Sequence, residues 1–159
     1  SRIAGLLPAM RAWLGQQGHA EAAVRGGARE AQHALRATLD SAAGRWVLGA
    51  HEEAVAEWAV SVADGEAIAT QVIDRSFVAD GARWIIDYKT TQIGTPGVLP
   101  AGRAGSALRQ HAERYRAQLE RYGALFRAEG LPLRLAVFYT ATGDLLELPP
   151  SGEASGSCR

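Results

Sequence analysis

The Asp80-Gly81 pair constrains this chain more than any other feature. It lies between two runs rich in β-branched and aromatic residues, Ala67 to Val78 and Arg83 to Thr91, within Ala79-Asp80-Gly81-Ala82. A two-residue turn between antiparallel strands needs left-handed backbone at both central positions, and aspartate and glycine tolerate it. Such a hairpin has one register. With Asp80 and Gly81 at its tip, Asp74 faces Asp87 and Val72 faces Lys89. Opposed residues share a face, with Cβ atoms about 4.5–5.5 Å apart, and residues two apart on one strand share it as well. Asp74, Asp87 and Lys89 are therefore expected together. Ile73, Phe77, Trp84, Ile86 and Tyr88 are expected on the other face, as core.

Two carboxylates about 5 Å apart repel by roughly 3 kcal/mol at an effective dielectric near 20. A fold that opposes them must supply a cation or a shared proton. Lys89 is one candidate: it is the single lysine, beside sixteen arginines, although a lysine that closes a strand can simply be solvated. A divalent metal is another, because two carboxylate oxygens and a backbone carbonyl suit Mg²⁺, which keeps several waters and completes its shell with substrate phosphate. A third possibility is purely structural, with the acids tied to Arg75 or Arg83.

The remaining bounds are broad. A chain of 159 residues, 47% hydrophobic and 21% charged, reads as one soluble globular domain. Seventeen basic and seventeen acidic side chains cancel, which leaves no long-range attraction to nucleic acid or anionic lipid. Any DNA affinity must then come from local arginines or from a larger assembly. Cys158 stands alone, so an intrachain disulfide is impossible and a reducing compartment is expected. No run approaches the ~18 apolar residues of a membrane span. A secretion signal is not evident, and Ser1 in place of Met suggests a processed or excised piece.

Leu6, Leu7, Met10, Trp13 and Leu14 predict a first helix, broken by Gly15 and Gly18. A second helix is expected from about Ala20 to Leu39, despite Gly26-Gly27, and a short third over Gly44 to Gly49. From Glu57 the apolar period becomes two, with Trp58, Val60 and Val62, until Asp64-Gly65 turns the chain into the hairpin. Gln92 to Gly102 reads as a loop. Ala104 to Glu129 predicts one long helix with a stripe of Leu108, Ala112, Tyr115, Leu119, Tyr122 and Phe126, stopped by Gly130 and Pro132. Leu133 to Tyr139 and Asp144 to Leu148 predict two last strands, and the chain beyond Pro149 a flexible tail. The order implies an α/β domain, with a mixed sheet and a central antiparallel meander flanked by helices.

Val72-Ile73-Asp74-Arg75 through Trp84-Ile85-Ile86-Asp87-Tyr88-Lys89-Thr90 resembles the PD-(D/E)XK nuclease superfamily. Glu57-Trp58-Ala59-Val60 and the helical segment from Tyr115 through Gln118-Leu119 to Tyr122 complete the likeness, over about Gly44 to Tyr139. Within the superfamily the chain looks like the RecB-type nuclease domain at the C-terminus of bacterial UvrD/AddA-like helicases, of the exonuclease V type. The resemblance implies a restriction-endonuclease-like core over 44–148, preceded by a helical region (1–43) and followed by the tail (149–159). It implies a cytoplasmic, Mg²⁺- or Mn²⁺-dependent deoxyribonuclease in DNA recombination and double-strand-break repair. Its partners would be DNA, helicase motor domains in the same polypeptide and a second helicase–nuclease subunit, with no membrane.

By the same resemblance Asp74 and Asp87 bind the metal, with the carbonyl of Tyr88 as a further ligand. Lys89 positions or deprotonates the attacking water and offsets charge on the transition state. Glu57 lies at the edge of the site. Gln118, which flanks the helix stripe, reaches the same place, with Tyr122 one turn further on; for Tyr122 plain core packing is the alternative. The pattern departs at one point: RecB-type domains carry a histidine ligand in a Gly-x-x-x-His context on an early helix; His33, His51 and His111 lack that spacing, and His19, four residues after Gly15, lies where the first helix is expected to break rather than on it. That departure leaves room for a non-catalytic DNA clamp or subunit brace of the same fold. For phosphate contacts, Arg114 and Arg121, seven apart on the long helix, are the candidates, with Arg109, Arg116 and Arg127 around them.

Overall fold

A computed structural model describes residues 2–64, 67–91 and 101–149. The expected tail after Pro149 and most of the expected Gln92–Gly102 loop lie outside the described residues. The hairpin takes the form its turn dictates. Strands β2 (Ala67–Ala79) and β3 (Ala82–Lys89) pair antiparallel from Ala79↔Ala82 to Arg75↔Ile86. Asp80 and Gly81 both hold left-handed backbone, at φ 51° and 71°. This is the type I′ arrangement that matches the twist of the strands.

Strand β1 (Glu52–Asp64) adds to the far side of β2, antiparallel, with Trp58 opposite Ile73. Strands β4 (Leu133–Tyr139) and β5 (Asp144–Leu148) complete a five-stranded sheet in sequence order. The Arg83 N–H donates to the Pro132 carbonyl and the Thr140 N–H to the Lys89 carbonyl, both at 2.9 Å. Rising number meets rising number, so β3 and β4 are parallel, and the connection between them must cross over. Gly143, at φ 75°, turns β4 into β5. The sheet is thus mixed and mostly antiparallel, in an α/β fold.

The helices follow the expected order with three corrections. Helix α1 (Arg2–Gln16) ends before Gly18, and α2 (Glu21–Asp40) runs through Gly26-Gly27 without interruption. Helix α3 (Ala42–Val47) starts two residues earlier than the sequence suggests, because the Ser41 hydroxyl accepts the Gly44 N–H at 2.8 Å and caps it. Strand β1 begins at Glu52 rather than Glu57. Its first half hides from a period-two reading because Glu53 and Glu57 sit at φ 48° and 51° and the register shifts between Glu52 and Val55.

The third correction concerns the long helix, which is two. Helix α4 (Ala101–Glu113) and α5 (Arg116–Ala124) are separated by a step at Arg114-Tyr115, whose N–H groups reach back only three residues, to His111 and Ala112. The apolar stripe averages 3.6 residues per repeat, the period of a straight α-helix, so the stripe itself gives no reason for the step. Leu108, Ala112, Leu119, Tyr122 and Phe126 all stay buried, and only Tyr115, at the step, is half-exposed.

Contacts gather into two compact units. One holds the helices up to Leu48 with Lys89 and Tyr139–Asp144; the other holds Gly49–Tyr88, most of the residues up to Phe138, and β5 from Leu145. In the second unit α5 lies on the sheet face that carries Ile85: a side chain at Gly123 would meet Leu133, Leu135 and Ile85 within 4 Å. Ile73, Phe77 and Ile86 are buried on the opposite face as expected, while Trp84 and Tyr88 are only half-buried there. The Asp87 face is buried too, through Ser76, Arg83, Ile85 and Asp87 itself. Both sides of the central strands are core.

Two turn glycines separate backbone strain from collision. Gly81 has left-handed φ and open space around it, so Gly81→Ala should cost about 1–2 kcal/mol from strain alone. A Cβ on Gly143 would come within 2.6 Å of Ser41 Cβ and 2.7 Å of the Ala37 carbonyl, so Gly143→Ala should lower the melting temperature more than Gly81→Ala in thermal unfolding followed by circular dichroism.

Candidate functional site

The site begins where the β2–β3 ladder stops. Beyond the Arg75↔Ile86 pair, regular alternation would bond the Tyr88 N–H to the Ile73 carbonyl. Instead the Asp74 side chain intervenes, and its Oδ2 accepts the Tyr88 N–H at 2.7 Å. Past this point β2 continues its pairing with β1, Ile73 against Trp58 and Val72 against Ala59. The expected oppositions of Asp74 with Asp87 and of Val72 with Lys89 are therefore not among the paired positions: the paired register of the hairpin ends at Arg75 and Ile86. Asp74 and Asp87 occupy the next position on the two parting strands. Capture of a main-chain N–H by a carboxylate holds the strands apart.

Asp87 is 5% exposed, an extreme value for an aspartate. Helix α5 supplies its partner. Gln118 Nε2 donates to Asp87 Oδ1 at a long 3.4 Å and to the Tyr122 hydroxyl at 2.8 Å. Gln118 and Tyr122 are four apart and so lie on one side of α5, which places an amide and a phenol above the Asp87 face of the sheet. Gln118 thus reaches the acid as the sequence suggests. Tyr122 is both core, at 4% exposed, and a hydrogen-bond partner of that amide.

Lys89 is the last residue of β3, two beyond Asp87, and strand alternation gives it Asp87's face. Tyr88 points the other way, its ring edge-on to Phe138 with centroids 6.0 Å apart. Burial pushes its phenol above the ordinary pKa, Arg75 pulls it down, and Asp74 and Glu57 push it up further. Glu57 is exposed, in left-handed backbone, and its influence is on that phenol.

The flanking arginines serve elsewhere in the fold. Arg75 donates to the Gly49 carbonyl at 2.9 Å and lies over the Phe77 ring. Arg83, 3% exposed, is gripped by Glu129 at 2.9 and 3.0 Å and by Glu53, above the Phe126 ring. Burial alone would lower the Arg83 pKa, but the hydrogen bonds it donates to Glu129 and Glu53, with their negative charges, outweigh burial and hold the guanidinium above its usual value. This clamp ties β1, β3 and the turn after α5 into one frame around the site. Glu129 escaped the sequence reading because it looked like the tail of a helix; it belongs to a separate 3-10 turn, Arg127–Glu129.

Arg114 and Arg121 are exposed, but the step at Arg114-Tyr115 lies between them, so they do not share a face of one continuous helix as expected. Arg116 is held by Glu113 at 2.7 and 2.8 Å and donates to the Pro149 carbonyl. Among the described residues no helix is long and apolar enough to cross a membrane. No protein-family model matches this chain, and no curated protein matches it either.

Among the described residues there is also no group of three or more histidine, cysteine, aspartate or glutamate side chains able to hold a metal. What is present is a pair of carboxylates with the main-chain carbonyl of Tyr88 between Asp87 and Lys89. An all-oxygen donor set of that size fits a hard divalent ion that keeps much of its own water, and does not fit zinc. The orienting contacts, Tyr88 N–H on Asp74 and Gln118 on Asp87, are of the kind that fix ligating carboxylates.

The Asp74–Tyr88 bond can be tested by itself. Asp74→Ala should destabilise the fold by about 1.5–3 kcal/mol, the range for a hydrogen bond to a charged group, and speed amide exchange at Tyr88. Asp74→Asn, which retains an acceptor, should lose about half as much in denaturant unfolding.

Proposed function

We propose that this chain is a metal-dependent deoxyribonuclease module that hydrolyses DNA phosphodiesters, as the resemblance to RecB-type PD-(D/E)XK domains implies. One observation carries the reading: a deeply buried aspartate, Asp87, stands beside Asp74 where two strands part and receives a helix amide from Gln118. Proteins rarely bury a carboxylate so fully without a use for its charge.

In this reading Asp74, Asp87 and the carbonyl of Tyr88 hold Mg²⁺ or Mn²⁺. The ion, when bound, supplies Lewis acidity to the scissile phosphate and lowers the pKa of an attacking water. The residues of the chain do the rest. Gln118 holds Asp87 Oδ1 in orientation, and Tyr122 holds Gln118. Asp74 is fixed by the Tyr88 N–H, which leaves its other oxygen directed away from that bond. The Lys89 ammonium, on the same strand face, offsets the negative charge that grows on the phosphate oxygens and positions the water. Neutralising that charge is where most of the barrier to phosphoryl transfer is overcome.

The module would serve a larger helicase–nuclease in the bacterial cytoplasm, in recombination and double-strand-break repair, with motor domains in the same polypeptide and a second subunit. A non-catalytic clamp of the same fold is the second reading. The pairing of Asp74 Oδ2 with a main-chain N–H and the small donor set favour it. Calorimetry with Mn²⁺ on the intact protein separates them: heat of binding that Asp87→Ala abolishes supports the nuclease, and no binding by the unaltered protein supports the clamp.

Cleavage is the direct test. Asp87→Ala and Lys89→Ala should each lower the Mg²⁺-dependent release of nucleotides from labelled linear DNA by at least about a hundredfold, the usual scale for losing an acid–base or charge-stabilising group. Degradation at the unaltered rate by either variant refutes the proposal.

A further inference from the structure

Helix α2 carries basic residues at positions 25, 29, 33 and 36, namely Arg25, Arg29, His33 and Arg36, all exposed. At about 100° per residue they fall within roughly 80° of the helix circumference. Val24, Ala28 and Thr38 are buried on the other side of the same helix. A line of basic side chains on a solvated face is ordinary, and usually acids neutralise it. Here the neutralisation is uneven. Arg25 pairs with Glu21, but Arg29 and Arg36 make no ion pair with a described residue. Elsewhere Arg83, Arg116 and Arg134 are held by glutamates, and Arg45 by the carbonyls of Leu39 and Asp40. Asp40, exposed and four residues beyond Arg36 on the same arc, makes no ion pair with it, so among the described residues two guanidinium groups seven residues apart keep their charge unpaired.

The surface beside them is concave. Arg29, Glu30 and His33 line a hollow of about 390 Å³ together with Ala141, from the turn between β4 and β5. That turn is tied to α2 through the Thr38 hydroxyl, which donates to the Thr140 carbonyl at 3.2 Å. Arg29 and Arg36 are seven residues apart, about 10.5 Å along the helix axis. Two guanidinium groups at this spacing, each on a flexible stem, can reach separate phosphates of one backbone.

We propose that this face of α2 is a phosphate-contact surface for DNA, with Arg29 and Arg36 each holding a backbone phosphate and His33 donating at the mouth of the hollow. The choice of DNA among polyanions rests on the nuclease reading; the charge arrangement does not. Glu30, which lines the same hollow, disfavours a bulky anion seated inside it, which keeps the contact at the rim. The contact carries no sequence information, because guanidinium groups on phosphates fix position and not bases.

The test measures binding without cleavage. Fluorescence anisotropy of a labelled duplex with the full chain in EDTA, over 50 to 200 mM salt, yields the slope of affinity against salt. Arg29→Ala/Arg36→Ala should flatten that slope by about 1.8, or 0.9 for each lost phosphate contact, so the affinity ratio between the two salts shrinks about tenfold. Arg25→Ala, whose charge Glu21 already offsets, should change it far less. All three positions are exposed, and unchanged melting curves confirm intact folding. An unchanged slope in the double variant overturns the proposal, as does an equal loss in Arg25→Ala or no duplex binding by the unaltered protein. Separately, Asp87→Ala should bind DNA like the unaltered chain yet fail to cleave it with Mg²⁺. Cleavage that survives Asp87→Ala would sink the nuclease reading, while the salt slope would still decide for or against the α2 surface.

Discussion

A single hydrogen bond, from the Tyr88 N–H to Asp74 Oδ2, decides the shape of the centre of this protein. Antiparallel strands stay together because each N–H finds the carbonyl opposite. Once a side chain takes one of those places, the ladder has no reason to continue, and β2 remains with β1 while β3 goes on with β4. The acids end up at the fork rather than in the middle of a closed ladder. Burial of Asp87, the reach of Gln118 and the position of Lys89 all presuppose that fork.

Much of this was legible in advance, and for identifiable reasons. Asp80-Gly81 leaves one turn type and therefore one register, and that register holds from Ala79↔Ala82 to Arg75↔Ile86, one position short of the two acids. Gln118 was legible because helical spacing sets it beside the stripe of Leu119 and Tyr122. What escaped were effects with no local signature. The opposition of Val72 and Lys89 failed because a fixed register assumes an unbroken ladder, and nothing in the residue types announces that Asp74 will take a main-chain N–H. The split at Arg114-Tyr115 has no proline or glycine to mark it. The apolar stripe runs across it at an average of 3.6 residues, as in an unbroken helix. Glu52 to Ala56 did not read as strand because Glu53 and Glu57 reverse the backbone hand and scramble alternation.

Charge is handled here by assignment, not by quantity. Equal numbers of acids and bases give no net charge, yet the arginines divide into those with a structural partner and those with no ion pair among the described residues. Arg83 belongs wholly to the frame, flat on Phe126 and gripped by Glu129 and Glu53. Arg116 and Arg134 stitch helix and hairpin locally. Composition treats all sixteen alike, and only placement distinguishes a structural rivet from a group available to a ligand.

The outermost strand has a further consequence for how copies of this chain treat one another. Strand β1 ends the sheet, and a bare strand edge invites a second molecule to extend it. Glu53 and Glu57 interrupt that edge twice with backbone of the wrong hand, and Glu57 adds an exposed negative charge. A neighbouring strand would have to copy both kinks and bury that charge to dock. Fibril-like stacking is thereby discouraged at the one margin where exposed Val55 and Trp58 would otherwise promote it.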